Sequence, residues 1–81
     1  MSVALADVKT LTGITGDYQD DLIQGWMDEA EAFLVDAGVK AQYITAGLIA
    51  RGVLDLWNYG AGDGKFSEYF IQRAIQLSYK Q

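Results

Sequence analysis

Residues 18–37 read YQDDLIQGWMDEAEAFLVDA, and the period of this stretch decides the fold class. Leu22, Ile23, Trp26, Met27, Ala30, Phe33, Leu34 and Ala37 recur at the 3.6-residue spacing of an amphipathic helix. Gln24, Asp28 and Glu31 fall off that apolar stripe. Asp20 and Asp21 stand in the first turn, where the positive end of the helix dipole favours carboxylates. Asp17 or Thr15 is placed to cap the helix, and Gly38 stops it. Gly25, inside the helix, costs about 1 kcal/mol relative to alanine and is expected to admit a close neighbour.

Working outward, the same period appears three more times. A short helix is expected from Val3 to Thr12, with Ser2 as its cap, Leu5, Val8 and Leu11 on one face, and Gly13 at its end. Ile14 follows as a core plug. A third helix is expected from Lys40 or Thr45 to Tyr59, apolar nearly all round through Tyr43, Ile44, Leu48, Ile49, Val53, Leu54, Leu56 and Trp57. Its polar exceptions Arg51, Asp55 and Asn58 form one narrow stripe. Gly47 and Gly52 leave room for close packing. A helix this apolar needs more cover than so short a chain supplies, so part of its surface is expected to meet another subunit. Residues 58–65, NYGAGDGK, read as a flexible loop. The fourth helix is expected from Glu68 to Lys80, capped by Ser67, with Phe66 stapled onto Ile71. Phe70, Ile71, Ala74, Ile75 and Ser78 mark its inner face, and Tyr69, Arg73, Gln76 and Lys80 its outer one. The expected architecture is all-α: a single domain over residues 1–81, a small bundle of about four helices.

Composition narrows the function. The 81 residues include no cysteine, histidine or proline. Disulfides, thiolate metal sites and the commonest general base are therefore absent. The net charge of −5 argues against a general nucleic-acid binder and against docking on an anionic membrane. No apolar run reaches membrane-span length. The opening MSVALADVK lacks the basic and apolar regions of a signal peptide, so use inside a cell is expected. Charge is unevenly placed: residues 1–38 carry a net −7 and residues 39–81 a net +2. A chain so divided can stack unlike faces against copies of itself.

Catalytic patterns are missing. GAGDGKF lacks the spacing, the following Ser or Thr and the preceding strand of a phosphate loop. Asp17, Asp20 and Asp21 lack the alternating ligands and closing glutamate of a calcium loop. Asp28, Glu29 and Glu31 lie on an outward helix face without a visible pocket. Without histidine no Ser-His-Asp triad can form. No serine stands in the Asp-Ser-Leu context of an acyl carrier protein. Trp26, Trp57, Tyr43, Tyr59 and Phe33 read as core rather than as the lining of a ligand cavity. The chain is expected to be neither an enzyme nor a cofactor or metal binder.

One resemblance runs from Leu5 to Lys80. LADVKTLTGITGDYQDDLIQGWMDEAEAFL resembles the opening of tailed-phage head–tail connector proteins, the head-completion or neck-adaptor family. ITAGLIARGVLDLWNYG is similar to that family's apolar helix ending in an aromatic pair. A variable loop follows, then IQLSYK, where Gln76-Leu77 match a family tail motif and Ser78 stands in place of its arginine. The resemblance implies a non-catalytic helical subunit of a homo-oligomeric ring, commonly of about twelve copies. The ring sits below the portal protein, lines the DNA channel and receives the next stopper or tail-completion protein. It implies the virion neck as location, with the host cytoplasm during assembly, and passing DNA that is not bound by sequence. Within that frame Asp17, Asp20, Asp21 and Asp28 are candidates to face the channel. Arg51, Asp55, Trp57, Tyr59, Lys65, Arg73 and Lys80 are candidates to meet a neighbouring subunit or the portal. Two other readings are an acidic helical DNA mimic that inhibits a DNA-binding enzyme and a small-ligand-binding bundle. The first needs dense carboxylates over the whole surface; the second needs an apolar cavity.

Overall fold

The computed structural model describes residues 3–63 and 66–80, with side chains described except over 58–63. Four α-helices follow in order: α1 Leu5–Thr12, α2 Asp20–Asp36, α3 Ala46–Asp63 and α4 Glu68–Ser78, with a single 3₁₀ turn at Ala41–Tyr43 before α3. No strand occurs among the described residues. The expected all-α bundle of four helices is the fold observed, with a radius of gyration of 12.1 Å.

The helix ends follow local chemistry. Gly13 takes φ +77° and its N–H donates to the Lys9 carbonyl, closing α1. At the end of α2, Gly38 takes φ +94°, Val39 N–H donates to Leu34 O and Gly38 N–H to Val35 O. This double closure is a Schellman motif, with Val39 and Leu34 both buried beside it. Thr45 Oγ1 accepts from Leu48 N–H at the start of α3. Two expected caps are replaced. Ala4 holds the cap position of α1, and Ser2 lies outside the described residues. Gln19 holds that of α2 without a side-chain bond; Asp17 accepts from Asp20 N–H through its carbonyl, not its carboxylate.

α3 is the element on which the others pack. Val8 from α1, Ile23, Met27, Ala30 and Leu34 from α2, and Phe70, Ala74 and Leu77 from α4 share one core with Ile49, Ala50 and Val53. Ile14 is half-buried against that core, as a plug would be. Gly52 is the most closely approached of the described glycines. A Cβ placed there would lie 3.0 Å from Ala30 Cβ and 3.0 Å from the Phe70 ring. Its missing side chain lets α2 and α4 converge on one turn of α3.

Several expectations are corrected. Gly25 and Gly47 have nothing within 4 Å of a would-be Cβ, so neither serves close packing inside the chain. Residues 58–63, read as a loop, continue α3 to Asp63. Glycine there weakens a helix by about 1 kcal/mol each, but without proline nothing stops propagation, which adds a backbone bond per residue. Leu11 and Leu22 are exposed, as is Ala37, because α1 and α2 each cover only one side of α3. On α4 the inward row is Phe70, Ala74 and Leu77; Ile71 and Ile75 are 37% and 43% exposed. A helix laid on the bundle by one seam buries only its i, i+4, i+7 row.

Packing at Gly52 sets a clear expectation. Gly52→Val should lower unfolding free energy by about 1–3 kcal/mol, because an overpacked core must shift its neighbours. Gly25→Ala, on an open helix face, should raise it by up to about 1 kcal/mol. Urea denaturation followed by circular dichroism measures both.

Candidate interaction surfaces

Polar chemistry on this bundle divides into one internal tie and two surfaces of opposite charge. The tie is Asp55. It is 8% exposed, and its Oδ2 accepts from Ser67 N–H at 3.0 Å and from Ser67 Oγ–H at 2.7 Å. Ser67 Oγ in turn accepts from Phe70 N–H at 3.2 Å, the N-cap bond expected of it. Asp55 is thereby removed from the proposed contact surface; it holds α4 onto α3 from inside. No buried side-chain N or O among the described residues is left without a partner.

Phe66, next to this tie, packs elsewhere than expected. Its ring stacks on Phe70 at 4.6 Å and meets Phe33 at 5.0 Å, so it closes on α4 at Phe70 and on α2. Trp57 is 36% exposed and meets Trp26 edge-on at 5.6 Å. It sits at the rim of the core, where another chain can reach it.

The acidic surface lies on α2 and the turn before it. Asp17, Asp21 and Asp28 are exposed, and Gln24 Nε2 donates to Asp28 at 3.0 Å. Asp20 differs from them: Lys9 Nζ lies 2.7 Å from its Oδ1 and also donates to the Gly16 carbonyl. Asp28 and Glu31 border a small depression of about 130 Å³ with Val3, Gln24, Met27 and Ile49, where the sequence suggested no pocket. Among the described residues no three carboxylates gather as metal ligands.

The basic surface is an open depression of about 520 Å³ between the 3₁₀ turn, the start of α3 and α4. Arg51, Arg73 and Lys80 line it, with Tyr43 and Tyr69, and among the described residues no carboxylate does. The Arg51 guanidinium lies 4.5 Å from the Tyr69 ring centre and the Lys80 ammonium 5.2 Å from that of Tyr43. Stacking of a cation on an aromatic face fixes the head group without neutralising it. Arg73 Nη1 donates to Gln76 Oε1 at 3.2 Å, again a neutral partner. The sequence placed Tyr69, Arg73, Gln76 and Lys80 on one outer face. It gave no sign that Arg51 and Tyr43 join them, since only the packing of α4 on α3 makes that meeting. Lys65 lies outside the described residues, as does the side chain of Tyr59.

No protein-family model matches the chain, and no curated protein or solved structure matches it.

Asp55→Ala should destabilise the fold by about 2–3 kcal/mol, since a hydrogen bond to a buried charged group contributes about 1.5–3 kcal/mol. Trp57→Ala should cost more, about 3–4 kcal/mol, because the loss of its largely buried area adds to the ~0.5–1.5 kcal/mol of an edge-on aromatic pair. Chemical denaturation of both variants gives the comparison, and the reverse order would overturn this assignment.

Proposed function

We propose that this protein is a structural subunit of a phage neck ring, attached below the portal, that joins the head to the tail-side neck proteins and encircles the DNA channel. The reading is carried by the resemblance from Leu5 to Lys80, whose order of short helix, acid-started helix, apolar helix and C-terminal helix is the order of this bundle. Two features support it. The surface is divided between an acidic helix and a basic depression, which suits head-to-tail contacts in which unlike faces meet and rotation closes a ring. Trp57, Tyr69, Ile71 and Ile75 remain exposed, apolar area that neighbouring chains would cover.

Asp17, Asp21 and Asp28 are the channel-facing groups in this reading. Carboxylates there repel phosphate, so DNA slides past without adhering. Asp20, already paired with Lys9, contributes less of its charge. The partners are further copies of the chain, the portal protein, the next neck protein and passing DNA. The subunit's task is geometric and asks for no catalytic group.

Electron microscopy of particles from cells with a disrupted reading frame tests the proposal. DNA-filled or leaking heads beside free, complete tails are expected. Intact tailed particles would overturn it. The basic lining of the depression gives no support to a bundle that encloses an apolar ligand, and the gathered cations give none to a DNA mimic.

A further inference from the structure

Arg51, Arg73 and Lys80 are three of the six cationic residues in a chain of net charge −5, yet they share one concavity. Like charges gathered with no carboxylate among the described residues that line the depression raise the energy of the free chain. Two are held against tyrosine rings and the third against a glutamine, so their charge stays available to an anionic group from outside. Gly47 lies at the same depression and is open to solvent.

On α2, Gly25, Glu29, Ala32 and Asp36 are all exposed. Their i, i+4, i+7, i+11 spacing places them in one row along the helix. Glu29 and Asp36 are two turns, about 10 Å, apart in that row. Gly25 lowers helix stability in an interior turn and no neighbour within the chain requires it. The row thus alternates carboxylates with residues too small to block a second backbone. It adjoins the Asp21–Asp28 row assigned to the channel, about 60° round the helix from it.

We infer that the α2 row Gly25–Glu29–Ala32–Asp36 of one copy docks into the Arg51–Arg73–Lys80 depression of the next. The occupant is a second copy of this chain because both halves of the match, in charge and in low relief, are carried by the same 81 residues. The two surfaces are different, so each copy offers one of each and the contact propagates head to tail. The inference rests on the ring reading above and names the surfaces that build the ring.

Sedimentation velocity on the full chain tests it, with circular dichroism to verify folding of each variant. Wild type is expected to self-associate and to lose affinity at least ~tenfold between about 50 mM and 500 mM salt. Arg51→Glu with Arg73→Glu, or Glu29→Lys with Asp36→Lys, should each give a monomer. In a mixture of those two double variants the unaltered row of the first meets the unaltered depression of the second, so association should return, as heterodimers or, where the reversed pair also forms, as alternating chains. Arg73→Glu alone, which disturbs only a surface bond to Gln76, and Gly25→Leu, on an open face, keep the test readable if the double variants misfold; both should weaken association at least ~tenfold. Association that survives these changes would overturn the inference and leave the ring reading standing. A wild-type chain that stays monomeric at low salt, or binds polyaspartate or duplex DNA there instead of itself, would also overturn it. Particle microscopy then decides the ring reading separately.

Discussion

The fold depends on a side chain that is not there. At Gly52 the backbone of α3 lies against Ala30 of α2 and Phe70 of α4, so close that a Cβ fits only if a neighbour gives by a few tenths of an ångström. Helices meet closely where small residues interleave, and interior packing tolerates neither gaps nor excess volume. This junction lets three elements share one core on one turn of α3. In a chain of 81 residues that matters more than in a large one, because the buried fraction of a small domain is low and each contact carries more of the total stability.

The Asp55–Ser67 tie sets the rotation of α4 about that junction. Ser67 caps α4 and is itself held by a buried carboxylate on α3. With the first turn so fixed, Phe70, Ala74 and Leu77 turn inward and Phe66 closes onto Phe33 and Phe70. The same rotation brings Tyr69, Arg73 and Lys80 to the side where Arg51 and Tyr43 stand. An internal hydrogen-bonded pair thereby shapes an external charged depression. In the ring reading the stability of the subunit and the geometry of its contact share this one connection.

Charge is arranged by element. Seven of the eleven acids occupy α2 and its leading turn, while half of the bases collect beside α3 and α4. In the ring reading such a chain is attracted to its own copies in one orientation and repelled in others, which favours ordered stacking over random aggregation. In that reading the residual exposed apolar residues, Trp57 among them, add area to contacts that charge orients.

The sequence by itself determined four helices, their order, the glycine stops at Gly13 and Gly38, the Ser67 cap and most of the buried positions on α2. These follow from local causes: a 3.6-residue period, a left-handed glycine, a hydroxyl beside an unpaired amide. It also placed Arg73 and Lys80 on one outer face, half of the candidate contact surface. Only the tertiary structure decided that α3 runs on through Gly60 and Gly62 to Asp63, since glycine lowers helix propensity without forbidding a helix. It decided which internal glycine its neighbours approach closely, which isoleucines of α4 stay outside, and that Asp55 turns inward while Arg51 turns to Tyr69. Those outcomes depend on which helix lies against which. Residues far apart in the chain make that choice together, and no local period records it.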